Sequence, residues 1–304
     1  MRKLFLVVMG LLCSLGICAQ ETTPSNITTS EKGGAATENL SKLVRPVMTI
    51  PKVSKAPVID GKLDDEVWKQ ATVFKDLIQT QPGDNIPASK RTEVYVGYDE
   101  SNLYVGFKCW DEKDKIRASV TLRDNVFNED NVRIWLDTYD DKRRAYILAF
   151  NPLGIQQDGI YTEGQGPDFS PDILMESKGV IEDWGWSVEV KVPFKSLRYT
   201  AGKGKFWGIN VARNISRLDN EFDSWVPLPR GVQGFLTLFG KANGLDEIKA
   251  ERTFQIIPTL TFKETGKRLN QNKFSNPPIT PDFGFTAKYS ITPNITLDAA
   301  YNPD

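Results

Sequence analysis

The sequence predicts an all-β protein: a two-sheet, jelly-roll-like β-sandwich followed by the first strands of a truncated transmembrane β-barrel. Three observations predict it. Between Val47 and Leu245, short apolar runs recur with turn residues between them, as in a sandwich. Only Asp64–Gln70 has helical character there, with Asp64 and Asp65 suited to the positive end of a short helix. From Thr253 onward, apolar and polar residues alternate over segments of ~10 residues, a weak signature of membrane-crossing strands.

The N-terminus comes first in the chain and reads as an export signal. Arg2 and Lys3 precede the apolar run Leu4–Leu12, and Ala19 offers a small residue before Gln20. The run is shorter than the ~20 residues a spanning helix needs. We expect residues 1–19 to be a signal peptide, with lipid attachment at Cys18 as a poorer alternative. Cleavage would remove Cys13 and Cys18 and leave Cys109 as the sole thiol, so no intramolecular disulfide is expected. Residues 20–45, rich in Thr, Ser, Asn, Glu and Gly, read as a flexible linker.

Residues 46–243 form the expected sandwich. Its clearest strands are Glu93–Tyr98, Leu103–Trp110, Val132–Asp137, Arg144–Phe150, Trp186–Val192, Phe206–Ala212 and Gly234–Phe239. Turn residues such as Asn151-Pro152-Leu153-Gly154 separate them.

Residues 244–304 are expected to begin the barrel. Phe254, Ile256, Pro258, Leu260 and Phe262 alternate, a polar stretch runs from Lys263 to Pro281, and Phe283, Phe285, Ala287 and Tyr289 resume the pattern. After a tight Thr292-Pro293-Asn294 turn, Ile295, Leu297, Ala299 and Tyr301 continue it. The pattern stops at Asp304, so the chain is expected to be the front part of a longer protein; a small soluble meander is the rival reading.

Composition narrows the function. Among 304 residues, 38 Lys and Arg balance 39 Asp and Glu, which leaves no basic footprint for nucleic acid. The chain has no histidine, which removes Ser-His-Asp triads, Cys-His pairs and His-ligated zinc. No sequence feature singles out a pair of carboxylates for glycoside hydrolysis. Asp124, Asn125, Asn128, Glu129 and Asp130 are a conceivable calcium loop, but they lack EF-hand spacing. Solvated loop carboxylates are the expected reading, and no cofactor is expected.

Four motifs in order carry a family resemblance. They are the run from Ala56 through Asp60-Gly61 to Trp68, Tyr98-Asp99 with Asn102–Val105, Asp130-Asn131-Val132 leading to Leu136-Asp137, and Trp186–Val190 leading to Val192-Pro193-Phe194. Together the stretch resembles the family 9 carbohydrate-binding modules. The tail resembles the start of the barrel that some exported bacterial proteins place after such a module. The resemblance implies a glycan or sugar end as ligand, clamped between two aromatic rings. On the motifs, one clamp position falls near Phe127 and the other on Trp225. The alternative roles are a loop anchor for Phe127 and a packing residue for Trp225. Arg133 stands where sugar-binding members carry a glutamate, and an apolar residue near Ile147 replaces an expected arginine. Trp135 shares a strand face with Arg133 and Asp137, opposite Val132, Ile134 and Leu136.

The expected function is carbohydrate binding, associated with carbohydrate catabolism, by a protein of the Gram-negative periplasm and outer membrane. The alternatives are O-glycosyl hydrolysis by a longer protein and a structural plug of the barrel.

Overall fold

The computed structural model describes residues 45–248, 254–270, 273–275, 278–292 and 295–302. The expected signal peptide, nearly all of the expected linker, and Pro293-Asn294 of the tight turn lie outside the described residues. The described chain divides into two compact units, 45–248 and 254–302.

The first unit is built from strands. It opens with β1 (Val47–Thr49), helix α1 (Val67–Gln70), β2 (Thr72–Phe74), β3 (Ile78–Gln81) and β4 (Ile86–Pro87). Next come β5 (Thr92–Tyr98), β6 (Asn102–Trp110), β7 (Asn131–Asp137), β8 (Arg144–Phe150) and β9 (Gln156–Thr162). β10 (Gly166–Asp168), β11 (Glu176–Glu182), β12 (Gly185–Pro193), β13 (Trp207–Ile215), β14 (Glu221–Ser224) and β15 (Gly240–Asn243) complete it. The larger sheet runs β10-β9-β8-β7-β13-β14-β3-β4, with β15 and β1 added beside β13. The smaller sheet runs β11-β12-β6-β5-β2.

Side-chain alternation explains the sandwich. Val132, Ile134 and Leu136 of β7 face inward, joined by Leu148 and Phe150 of β8 and Trp207, Ile209 and Val211 of β13. From the smaller sheet, Val94 and Val96, Val105 and Phe107, and Trp186, Val188, Val190 and Val192 meet them. Full burial of each such side chain contributes roughly 1.5–3 kcal/mol before conformational entropy is charged against it. Cys109 is fully buried in this core, and burial pushes its thiol up to about 12.

The outward face of the smaller sheet is covered by the segment leading into α1. Trp68, Val67, Val53 and Tyr104 pack together there. Beneath them the Glu189 carboxylate accepts hydrogen bonds from Trp68 Nε1–H at 2.8 Å and from the Asp60 and Gly61 N–H groups at 2.9 Å. Gly61 has φ of 94°, and a Cβ there would lie 2.7 Å from the Val180 side chain, so the turn needs glycine.

β5, β6, β7, β8, β12 and β13 fall where the apolar runs predicted strands. Gly234–Phe239 does not. Gly234 adopts φ of 92° and opens a short 3₁₀ helix, Phe235–Leu238, whose first N–H groups are taken by Glu163. The polar composition of Gln156–Thr162 hid β9, since its Asp158 bonds the Ile173 N–H and Arg123 across the connecting loops.

The second unit holds β16 (Phe254–Lys263), β17 (Lys267–Asn270), β18 (Lys273–Ser275), β19 (Thr280–Thr292) and β20 (Ile295–Tyr301). β16, β19 and β20 make an open antiparallel sheet. Its register sets Phe254 against Tyr289, Leu260 against Phe283, and Phe285 against Tyr301, which gathers the apolar residues on one face. That face is exposed in this unit: Phe254, Leu260, Phe262, Phe283 and Leu297 all project into solvent. The polar stretch expected as a loop instead contains the β17–β18 hairpin.

Candidate functional site

The same alternation that fills the core sends the other half of the larger sheet's side chains outward. Arg133 and Trp135 leave β7 on the outer face, Ile147 leaves β8, Tyr161 leaves β9 and Phe222 leaves β14. They line a groove of about 530 Å³ together with Thr80 and Gln81 of β3. Phe127 stands over it from the loop before β7, and Leu228, Arg230 and Phe235 from the segment after β14. The volume lies in the range typical of small-ligand sites, ~300–1,000 Å³.

Trp135 is the central ring of this face, only 3% exposed. It meets Phe235 edge-on at 5.5 Å, Phe222 at 6.2 Å and Phe239 at 6.4 Å. Phe235 in turn packs on Tyr161 at 5.1 Å. Such edge-to-face contacts fix ring orientation and add ~0.5–1.5 kcal/mol per pair beyond burial.

The loop that carries Phe127 is held by the Asp130-Asn131 pair. Asp130 accepts bonds from Ser216 N–H and Oγ–H and from Arg117 N–H. Asn131 Nδ2 donates to the carbonyls of Val126 and Glu129, and Val126 N–H donates to Gln157 Oε1. Phe127 then rests against Phe169 at 5.3 Å and faces the Arg133 guanidinium at 4.1 Å. The opposite rim is tied down by Glu163, by Asn85 Oδ1 accepting Leu228 N–H, and by Arg230 donating to the Pro82 and Gly83 carbonyls.

Arg133 sits between two rings, 4.1 Å from Phe127 and 5.3 Å from Phe222. Its Nε donates to Asn131 Oδ1 at 2.8 Å. Burial pushes the guanidinium down to about 10, so it keeps its charge at neutral pH. Ion pairing elsewhere follows the usual pattern. The fully buried Arg213 pairs with Asp111 at 2.7 Å between the sheets, and Arg217 joins the same carboxylate.

Of the three residues expected to bind sugar, the structure brings Phe127 and Arg133 together and places Trp225 elsewhere. Trp225 follows β14 in the alternation that sends Phe222 and Ser224 outward, so it points to the inner side. There its ring meets Phe74 edge-on at 4.6 Å, against the main core. The position near Ile147 lies in the groove as the motifs indicated. Sequence reasoning missed Phe222, Tyr161, Phe235 and Arg230. The first two are on strands too polar or too short to stand out; Phe235 lies in the run Gly234–Phe239, read as a strand, and Arg230 in the turn-rich stretch before it.

The acidic loops do structural work. Glu129 takes Ser119 and Asn151, and Asp137 takes the Tyr139, Asp141 and Lys142 N–H groups. Among the described residues, no cluster of three or more Asp, Glu or Cys side chains is arranged to hold a metal ion.

Comparison with known proteins shows what this fold is similar to. A carbohydrate-binding protein fold from Bacteroides uniformis ATCC 8492, described as putative, superposes with a TM-score of 0.53 at 13% identity, over 66% of this chain and 99% of that one. A family 9 carbohydrate-binding module from Caldicellulosiruptor kristjanssonii, solved with cellotriose, gives 0.48 at 17% identity, over 65% of this chain and 92% of that one. The same source's module with glucose gives 0.47 at 19% identity, over 64% and 95%. No curated protein matches the chain. The family model described as carbohydrate family 9 binding domain-like matches residues 59–227, more than half of the sequence, and the chain therefore belongs to that family.

Proposed function

We propose that the groove on the outer face of the larger sheet binds carbohydrate. The observation that carries this is the wall of rings around Trp135, set among fixed hydrogen-bond donors, on a sandwich of the family 9-like kind. A pyranose presents a patch of C–H groups to an aromatic face and hydroxyls at its edge. Phe127, Phe222 and Tyr161 supply faces, while Arg133, Gln81 and Arg230 supply polar contacts.

The wider setting is part of the same proposal. Residues 1–19 direct export, 20–45 form a linker, 46–243 bind the glycan in the periplasm, and 244–304 begin an outer-membrane barrel. The one-sided apolar face of β16, β19 and β20 supports the last step, because a lipid-facing strand needs that pattern. Fractionation of Gram-negative cells tests it: recovery in the cytoplasm or inner membrane refutes the location.

Binding is tested by calorimetry of the 304-residue chain in mild detergent against soluble mono- and oligosaccharides. Phe127→Ala should weaken the best ligand about thirtyfold, the loss of a ~2 kcal/mol anchor. A folded chain that binds none of them refutes the function.

A further inference from the structure

The groove is chemically one-sided. Two arginines, Arg133 and Arg230, lie on its wall, and no Asp or Glu does. Trp135, the central ring of this wall, also carries a buried Nε1–H that has no partner among the described residues.

Arg133 is set up for a particular kind of oxygen. Its Nε is engaged by Asn131, and its plane is held between the Phe127 and Phe222 rings. Among the described residues, no carboxylate pairs with it and no hydrogen bond engages its two terminal nitrogens. Those nitrogens form the flat fork that matches a carboxylate with two parallel bonds.

A neutral sugar fits this wall less well. Each hydroxyl donates as well as accepts, and the side-chain acceptors here are few. The Thr80 hydroxyl already donates to the Phe222 carbonyl, which leaves the Gln81 amide and the Tyr161 phenol as the other polar groups. A carboxylate only accepts, and it brings the charge that the wall lacks.

We propose that the groove selects an acidic sugar, a uronate whose carboxylate takes the Arg133 fork while its ring lies against the aromatic wall. This rests on the carbohydrate-binding function proposed above. Arg230, tethered to the rim by the Pro82 and Gly83 carbonyls, adds a second positive charge at the same face.

The test compares each acid with its own ester, so that the protein is untouched. Calorimetry of the 304-residue chain takes glucuronate-, galacturonate- and mannuronate-containing disaccharides, each beside its methyl ester, with neutral and sulfated disaccharides alongside. At least one uronate should bind about tenfold or more tighter than its ester, the worth of a charge-assisted hydrogen bond. The advantage should shrink with added salt. Arg133→Gln should weaken the acid more than its ester, so that the acid's advantage over the ester is lost. If that variant fails to fold, the acid–ester comparison on the parent chain still decides.

Esters or neutral sugars that bind as well as the acids overturn the assignment and leave carbohydrate binding standing. A sulfated disaccharide that matches the best uronate overturns the carboxylate fork. No binding to any sugar removes both this inference and the function beneath it.

Discussion

Replacing Trp225 with alanine separates a packing role from a ligand-clamping one. The ring lies on the inner side of the larger sheet, edge-on to Phe74 at 4.6 Å and an interplanar angle of 80°. Its tip covers Gly240 so closely that a Cβ there would lie 2.3 Å from Cζ3. The Trp225 backbone N–H donates to the Val211 carbonyl at 3.0 Å, a bond that a substitution would leave intact. Truncating a buried tryptophan costs ~3–5 kcal/mol. Trp225 is half-buried, which lowers that figure, while the lost Phe74 contact restores ~0.5–1.5 kcal/mol. A loss of ~3 kcal/mol results, and at ~2–4 °C per kcal/mol for a domain of this size it lowers Tm by about 6–12 °C. Scanning calorimetry measures the shift, and a sugar titration on the same sample measures binding. The expected outcome is a lowered Tm with affinity changed less than twofold. An unchanged Tm accompanied by lost binding would refute the packing argument and return Trp225 to the site.

Two further substitutions probe the scaffold. Glu189→Leu strands the Trp68, Asp60 and Gly61 donors at once; at ~1–3 kcal/mol per orphaned group it should cost ~3 kcal/mol or more in urea unfolding. A variant as stable as the parent would show that the three donors find other partners. Asp223 is a buried carboxyl held up to about 8 by burial and by neighbouring Glu221. The folded chain therefore holds this proton more tightly than the unfolded chain, so its share of stability is complete below the ordinary carboxylate range and falls as pH rises toward 8. Asp223→Asn should flatten that decline, and parallel melts at pH 5 and pH 8 in which parent and variant drop equally would contradict it.

The scaffold was the legible part of the sequence. Alternation of Val132, Ile134 and Leu136 against Arg133 and Trp135 fixed which face of β7 meets the core, and the Asp60-Gly61 and Trp68 motif marked the Glu189 contact without revealing it. The site was legible only where it borrowed from those motifs. Arg133 and Phe127 stand next to Asp130-Asn131, and the structure sets both in the outer groove. Trp225 stands outside that groove because one step along an alternating segment carries a side chain through the sheet, and a motif match does not fix that parity. Phe235 was hidden for a different reason. Its segment bends at Gly234 to meet Glu163, a partner 72 positions away that no local pattern announces.

The two faces of the larger sheet also constrain how this protein can diversify. β7 and β8 turn one set of side chains to the core and the next to the outer groove, so inserting or deleting one residue in either would trade the two sets. If the groove binds sugar as proposed, heritable change in ligand preference is channelled into single replacements at outward positions such as 133. Changes of length are tolerated more readily in stretches that leave the sheet, such as the rim between Val226 and Phe239. Strand lengths are therefore the constrained element of this fold, while outward residues and rim length are where variation costs least.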